Sequence, residues 1–136
     1  MHTPRSRRGS IAVLFAVSLV VLLGFSALVV DLSRVRLTQM QAQSAADAGA
    51  HAALVEIKEG RDEDLARLRA YHTMNQNTVA NQAVDVERAE DIIFGEWDFG
   101  SSTFNESSSF VNAVAVRVRK TSDSPMGALD LVLFPI

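Results

Sequence analysis

Twenty consecutive residues, Ile11 to Val30, carry no charge. At about 1.5 Å per residue a helix of that length spans ~30 Å, the hydrocarbon thickness of a bilayer. Fourteen of the twenty are Leu, Ile, Val or Phe. Summed on the insertion scale they favour the membrane by about 6 kcal/mol, an upper bound because residues near the ends count for less. Ser18, Gly24 and Ser26 subtract little. The first constraint is therefore a membrane helix over 11–30, after a basic tail over 1–10 that holds Arg5, Arg7 and Arg8. Short Arg-rich flanks stay cytoplasmic, which places the N-terminus inside and about a hundred residues outside an inner (cytoplasmic) membrane. Asp31, Arg34 and Arg36 on the far flank dilute the basic charge there. The alternative is a cleaved signal peptide, with Gly24 and Ser26 as the small residues before the cut and a soluble secreted product. The apolar run is longer than the ~7–15 residues of a signal core, and no A-x-A closes it.

With the anchor set aside, the remainder of the 136 residues suffices for one small domain. The net charge of −3 hides a gradient: +3 over 1–10, −1 over 31–60 and −5 over 61–136. An acidic distal part argues against nucleic acid, whose binding requires clustered Lys and Arg. No cysteine is present, so neither disulfides nor thiol chemistry enter.

The membrane helix has no reason to stop at the membrane. No proline lies between Pro4 and Pro125, and residues 31–60 are rich in good helix formers up to Gly60, a residue suited to a left-handed cap. A helix from Ser10 to Glu59 would be about 75 Å long, with an outer part of about 45 Å. Gly49 is its weak point, where a break is conceivable. Two rows of small residues run along this extension: Ala42, Ala46 and Ala50, and beside them Ala45, Gly49 and Ala53. Such rows let another backbone approach closely. They read either as plain helix-favouring alanine or as a seam for a partner helix or for the chain's own outer domain.

Residues 61–136 read as a small α+β extracytoplasmic domain. Asp62, Glu63 and Asp64 suit a helix N-terminus, with Leu65 and Leu68 as its apolar edge. The Asn/Gln cluster from Asn75 to Gln82 reads as a loop or frayed helix end. Beyond Ala83 the period changes to that of strands: Val84 and Val86, then Ile92 to Phe94, then Val114, Val116 and Val118 alternating with Ala115, Arg117 and Arg119. Serine-rich residues 100–109 form a connection between strands, and Leu129 to Phe134 suit a last strand. Trp97 is expected to cover the valine face. The fold class is thus a long transmembrane helix continuing outside, followed by a small antiparallel sheet.

Constellations for chemistry are scarce. His2, His51 and His72 stand apart; His51 and Asp47 share a helix face but make only two metal ligands, and four are usual for a structural site. Glu90, Asp91, Glu96 and Asp98 lack the spacing of a calcium loop and read as solvated strand ends. No nucleophile elbow, zincin, P-loop or dinucleotide pattern occurs. Neither enzyme activity nor a cofactor is expected.

Arg8-Gly9-Ser10-Ile11-Ala12, the apolar run closing on Val30-Asp31-Leu32, Gln43 and Ala45-Ala46-Asp47-Ala48-Gly49-Ala50 together resemble the N-terminal segment of TadG-like proteins of the bacterial Tad (tight adherence, or Flp) pilus machinery. Farther on, Phe94-Gly95-Glu96-Trp97-Asp98 and the run from Asn112 to Val118 resemble the outer region often joined to that segment. The resemblance implies a membrane-anchored accessory or minor-pilin-like part of pilus assembly, acting through other pilus proteins and membrane lipid, with Arg8, Gly9, Asp31, Gln43, Asp47, Gly95, Trp97 and Asn112 at motif positions. Relatives commonly continue past the position of Ile136, which implies a short form or a piece of a longer chain. A processed type IV pilin helix carries Glu at its fifth position; counted from Ser10 that residue is Leu14, so polymerisation as a major pilin is not expected. A generic membrane-anchored binding or sensor module is the other class, and a closed pocket in the outer sheet would favour it.

Overall fold

A computed structural model of the protein describes residues 8–106 and 110–133. The basic positions Arg5 and Arg7, His2, Ser107 to Ser109 and Phe134 lie outside the described residues.

One helix, α1 (Arg8–Lys58), runs without interruption through Gly24 and Gly49. From Ile11 to Val30 every side chain is exposed except half-buried Ala27, as a lipid-facing segment requires. The hydroxyls in this stretch are satisfied within the helix: Ser18 Oγ donates to the Leu14 carbonyl at 2.9 Å and Ser26 Oγ to that of Leu22 at 2.8 Å. Among the described residues this is the one helix long and apolar enough to cross a membrane, and by it the chain is membrane-anchored.

The helix ends where the sequence offers a left-handed residue. Gly60 has φ +79°, its N–H donates to Ile57 and that of Arg61 to Glu56, the paired closure of a Schellman cap. The chain then folds back as α2 (Glu63–Asn75), whose N-cap Asp62 accepts the Leu65 N–H at 2.7 Å. The buried face of α2 is Ala66, Ala70 and Met74, whereas Leu65 and Leu68 point outward. The expected Leu65–Leu68 edge is thus corrected: close packing of two helices selects the small side chains, and the leucines are left outside.

A tight hairpin follows, β1 (Thr78–Val79) and β2 (Gln82–Ala83), turned through Ala80 and Asn81, both at positive φ. Asn81 suits that conformation. The Asn/Gln cluster expected as a loop or frayed helix end thus holds two short strands. After a four-residue helix, α3 (Arg88–Asp91), comes the sheet of β3 (Ile92–Asp98), β4 (Thr103–Asn105) and β5 (Ala113–Val116), antiparallel in the order β4-β3-β5. The serine-rich connection therefore contains a strand of its own. The α+β class and the small antiparallel sheet are as the sequence reading has them.

The core lies between α1, α2 and one sheet face. Ala45 and Ala53 of α1 meet Met74, Val79, Val84, Ile92 and Phe94, with Val114, Val116 and Val118 packed at its edge. Paired residues Ile92–Val116 and Phe94–Val114 project to this face together. Trp97 belongs to the other parity of β3, is 38% exposed, and stands opposite Phe104. The expected cover of the valines by Trp97 is corrected on that ground; their cover comes from α1.

Residues Leu129 to Leu133 form no strand. Their backbone finds a different acceptor, described next, which corrects the expectation for the described part of 129–134.

Candidate functional site along the long helix

One face of α1 is turned toward the rest of the chain. Asp31, Val35, Thr38, Ala42, Ala45, Gly49, Ala53 and Glu56 recur at spacings of three and four and are buried or half-buried. That spacing keeps them on one helix face. Both small-residue rows of the sequence flank or occupy this stripe. Ala45, Gly49 and Ala53 are buried toward α2, and Gly49 leaves the room that Met74 fills: a Cβ built there would stand 2.6 Å from Met74 Cγ and 2.8 Å from its Sδ. Ala46 is buried and Ala42 half-buried beside Val116 and Val118; Ala50 is half-buried. Much of the small-residue surface is thus in contact with α2 and the sheet of the same chain.

At the far end of the stripe Glu56, nearly buried, is held between Arg61 and Arg69, the latter at 3.7 Å. At the membrane end Asp31 is only 3% exposed. Its two carboxylate oxygens each accept a backbone N–H, from Val132 and from Leu133, both at 2.8 Å. Ionised carboxylates are tolerated out of water only when paired or hydrogen-bonded in this way. Sequence reading singles out Asp31 but gives no sign of its partner, which lies a hundred residues on. Between these ends a cleft of about 410 Å³ opens between α1 and the C-terminal segment, lined by Val35, Thr38, Ala42, Val118, Leu129 and Leu131. It lies outside the sheet.

The other motif positions fall into two groups. On α1, Arg8 and Gly9 open the helix, and Gln43 donates from Nε2 to Asp47 Oδ1 at 2.7 Å on the exposed side. At the end of the sheet Gly95, Trp97 and Asn112 come together. The Asn112 N–H donates to the Gly95 carbonyl, its Oδ1 accepts the Trp97 N–H at 2.6 Å, and its Nδ2 donates to the Trp97 carbonyl at 3.2 Å. Asn112 so extends the β3–β5 pairing with its side chain. At Gly95 a Cβ would collide with the Asn105 carbonyl, so only glycine lets β4 close on β3 here.

The acids around Trp97 have separate structural tasks. Asp91 is buried, bonded at 2.9 Å to Arg119, and caps the Glu87 N–H at 3.0 Å. Asp98 accepts from the Ser101 hydroxyl and the Gly100 N–H, which hold its carboxyl below the usual range, the hydroxyl foremost. His51 is exposed on the face of α1 opposite the stripe. Among the described residues no group of three or more His, Asp and Glu is placed to hold a metal ion.

Residues 9–62 match the family model described as putative Flp pilus-assembly TadE/G-like. The match covers the apolar span, the small-residue rows and the helix cap, and it bears out the TadG-like resemblance read from the sequence. Residues 63–136 lie outside it. No curated protein and no solved structure matches the chain.

Proposed function

We propose that the chain, whose residues 9–62 match the TadE/G-like family model, is an accessory or minor-pilin-like component of Tad/Flp pilus assembly that acts by protein–protein contact and carries out no reaction. The observation that supports this reading is the division of α1 into two faces. The stripe from Asp31 to Glu56 holds the outer domain, and the opposite face leaves Leu37, Met40, Leu54 and Val55 exposed on either side of Ser44, Asp47 and His51. That face continues the lipid-exposed surface of the membrane span. A partner helix from another pilus protein in the same membrane can follow it from bilayer to Lys58, with none of the described residues of this chain in the way. The rows Ala42, Ala46, Ala50 and Ala45, Gly49, Ala53 then serve to draw the outer domain tightly onto one side and so keep the other side free. In this reading the N-terminus is cytoplasmic, the protein sits in the inner membrane, and the outer domain is periplasmic or extracellular.

Deleting the chain from the producing bacterium should abolish or sharply reduce surface pili counted by electron microscopy, and the full chain should restore them. Photo-crosslinkers at Met40, Ser44 and His51 should yield adducts with pilus proteins identified by mass spectrometry, and one at Thr103 should not. A reporter fused after Gly60 should be active only in the exported compartment. Normal piliation without the chain would overturn the assembly role.

A further inference from the structure

The geometry points to a second membrane contact: we propose that Val132 and Leu133 lie in the headgroup–acyl boundary beside the start of α1's outer part, pinned there by Asp31, so that the outer domain rests on the lipid surface. Asp31 directly follows the twenty uncharged residues of the span. Helix side chains lean toward the helix N-terminus, so this carboxylate leans toward the membrane. Its bonds to two successive N–H groups hold the backbone of Val132 and Leu133 within 2.8 Å of that carboxylate, next to the end of the span. Both side chains are open, Val132 at 61% and Leu133 at 42% exposure. Val29, Val30 and Leu32 are exposed at the same level of the helix.

Leu28, three residues before Asp31 and so on its side of the helix, is also exposed, and with Val132 and Leu133 it extends the apolar surface of the membrane span, which is why lipid is the occupant. Exposed Arg34 and Arg36 stand just outside it, at the height where lipid phosphates attract basic residues. The two hydrogen bonds also answer a requirement of that environment. A non-helical segment entering the interface brings backbone N–H groups with little water to meet them, and Asp31 takes two.

The chain has no cysteine, so a single introduced thiol is unique. Full-length Val132→Cys and Leu133→Cys would each carry an environment-sensitive dye in vesicles of phosphatidylethanolamine and phosphatidylglycerol containing spin-labelled phospholipid. Leu22→Cys reports the span and Thr103→Cys the aqueous side. Quenching at 132 and 133 should be strong, greater for a spin label near the headgroup than for one near the acyl terminus, and Thr103→Cys should show none. Unlabelled Val132→Cys should react several-fold more slowly with a membrane-impermeant maleimide than Thr103→Cys. Adding Asp31→Asn, which puts two donors where an acceptor stood, should reduce the quenching at 132 and leave that at Leu22→Cys unchanged. Quenching at Leu22→Cys alone, with Val132→Cys as reactive as Thr103→Cys, overturns the second contact while leaving the anchor intact. Protection of Val132→Cys only when other pilus proteins are present also overturns it, because the surface would then belong to a protein partner.

Discussion

The Gly49–Met74 contact between the two helices makes a prediction whose sign depends on the background in which it is tested. A methyl group on Gly49 would meet three Met74 atoms, at 2.6, 2.8 and 3.3 Å, and Met74 is fully buried with little room to withdraw. Overpacking of this kind costs ~1–3 kcal/mol. Against it, alanine gains about 1 kcal/mol over glycine in a helix interior. Gly49→Ala should thus destabilise the outer domain by up to ~2 kcal/mol. Met74→Ala removes a buried side chain and should cost ~2–5 kcal/mol. It also removes all three obstructing atoms. In that background Gly49→Ala should therefore stabilise, by about 1 kcal/mol, since only the helix-propensity gain remains. The assay is hydrogen exchange by mass spectrometry on α2 peptides of the full chain in detergent micelles, because opening of α2 away from α1 sets the exchange of its amides. Gly24→Ala, with no atom within 4 Å of the added Cβ, is the control and should leave α2 exchange unchanged. If the two substitutions add within ~0.5 kcal/mol, the Gly49–Met74 contact is not what sets the interhelical distance.

Three further outcomes are expected. Val21→Arg with Leu22→Arg should abolish membrane insertion, because each central arginine costs roughly 2.5–3.5 kcal/mol, and carbonate extraction of membranes reads the loss directly. Gly95→Ala should push β4 off β3 through the Asn105 carbonyl, raising protease cleavage between Phe99 and Asn112 while α2 stays protected. Asp98 should titrate by NMR below an aspartate in an unfolded peptide, and Ser101→Ala should move its midpoint up; an unmoved midpoint refutes the hydroxyl as the main cause. With the folded value depressed, the contribution of Asp98 to the Phe99–Ser102 turn is complete above the unfolded value and is lost as pH falls through the folded one.

What was legible in the sequence and what was not divides along the range of the interactions. The span, the continuation of α1, the Asp62 cap and the Gly60 stop are written in neighbouring residues, and each appears where its local chemistry puts it. The strand character of Ile92–Phe94 and Val114–Val116 was legible from period-two alternation. The same rule, carried one step further, separates Trp97 from the valines, since its parity in β3 is opposite to that of Ile92 and Phe94. Leu65 and Leu68 misled because hydrophobicity alone ranks them above alanine, whereas the α2 face turned to α1 is Ala66, Ala70 and Met74, the last accommodated by Gly49. The Asp31 contact was invisible for another reason. Any carboxylate can accept any pair of N–H groups, so nothing in residues 129–133 distinguishes a segment bound to Asp31 from the strand their apolar character suggests.

The unbroken passage of α1 from bilayer to Lys58 makes the protein a lever. About 28 residues beyond Val30 give an arm of ~42 Å, and a helix span tilted by ~20°, an ordinary value, swings the far end of that arm sideways by about 14 Å. No hinge at Gly49 absorbs the motion, since Met74 fills the space there. Whatever sets the tilt of the span, bilayer thickness or a neighbouring helix, therefore also sets where in the space above the membrane the sheet and its Trp97 end are carried.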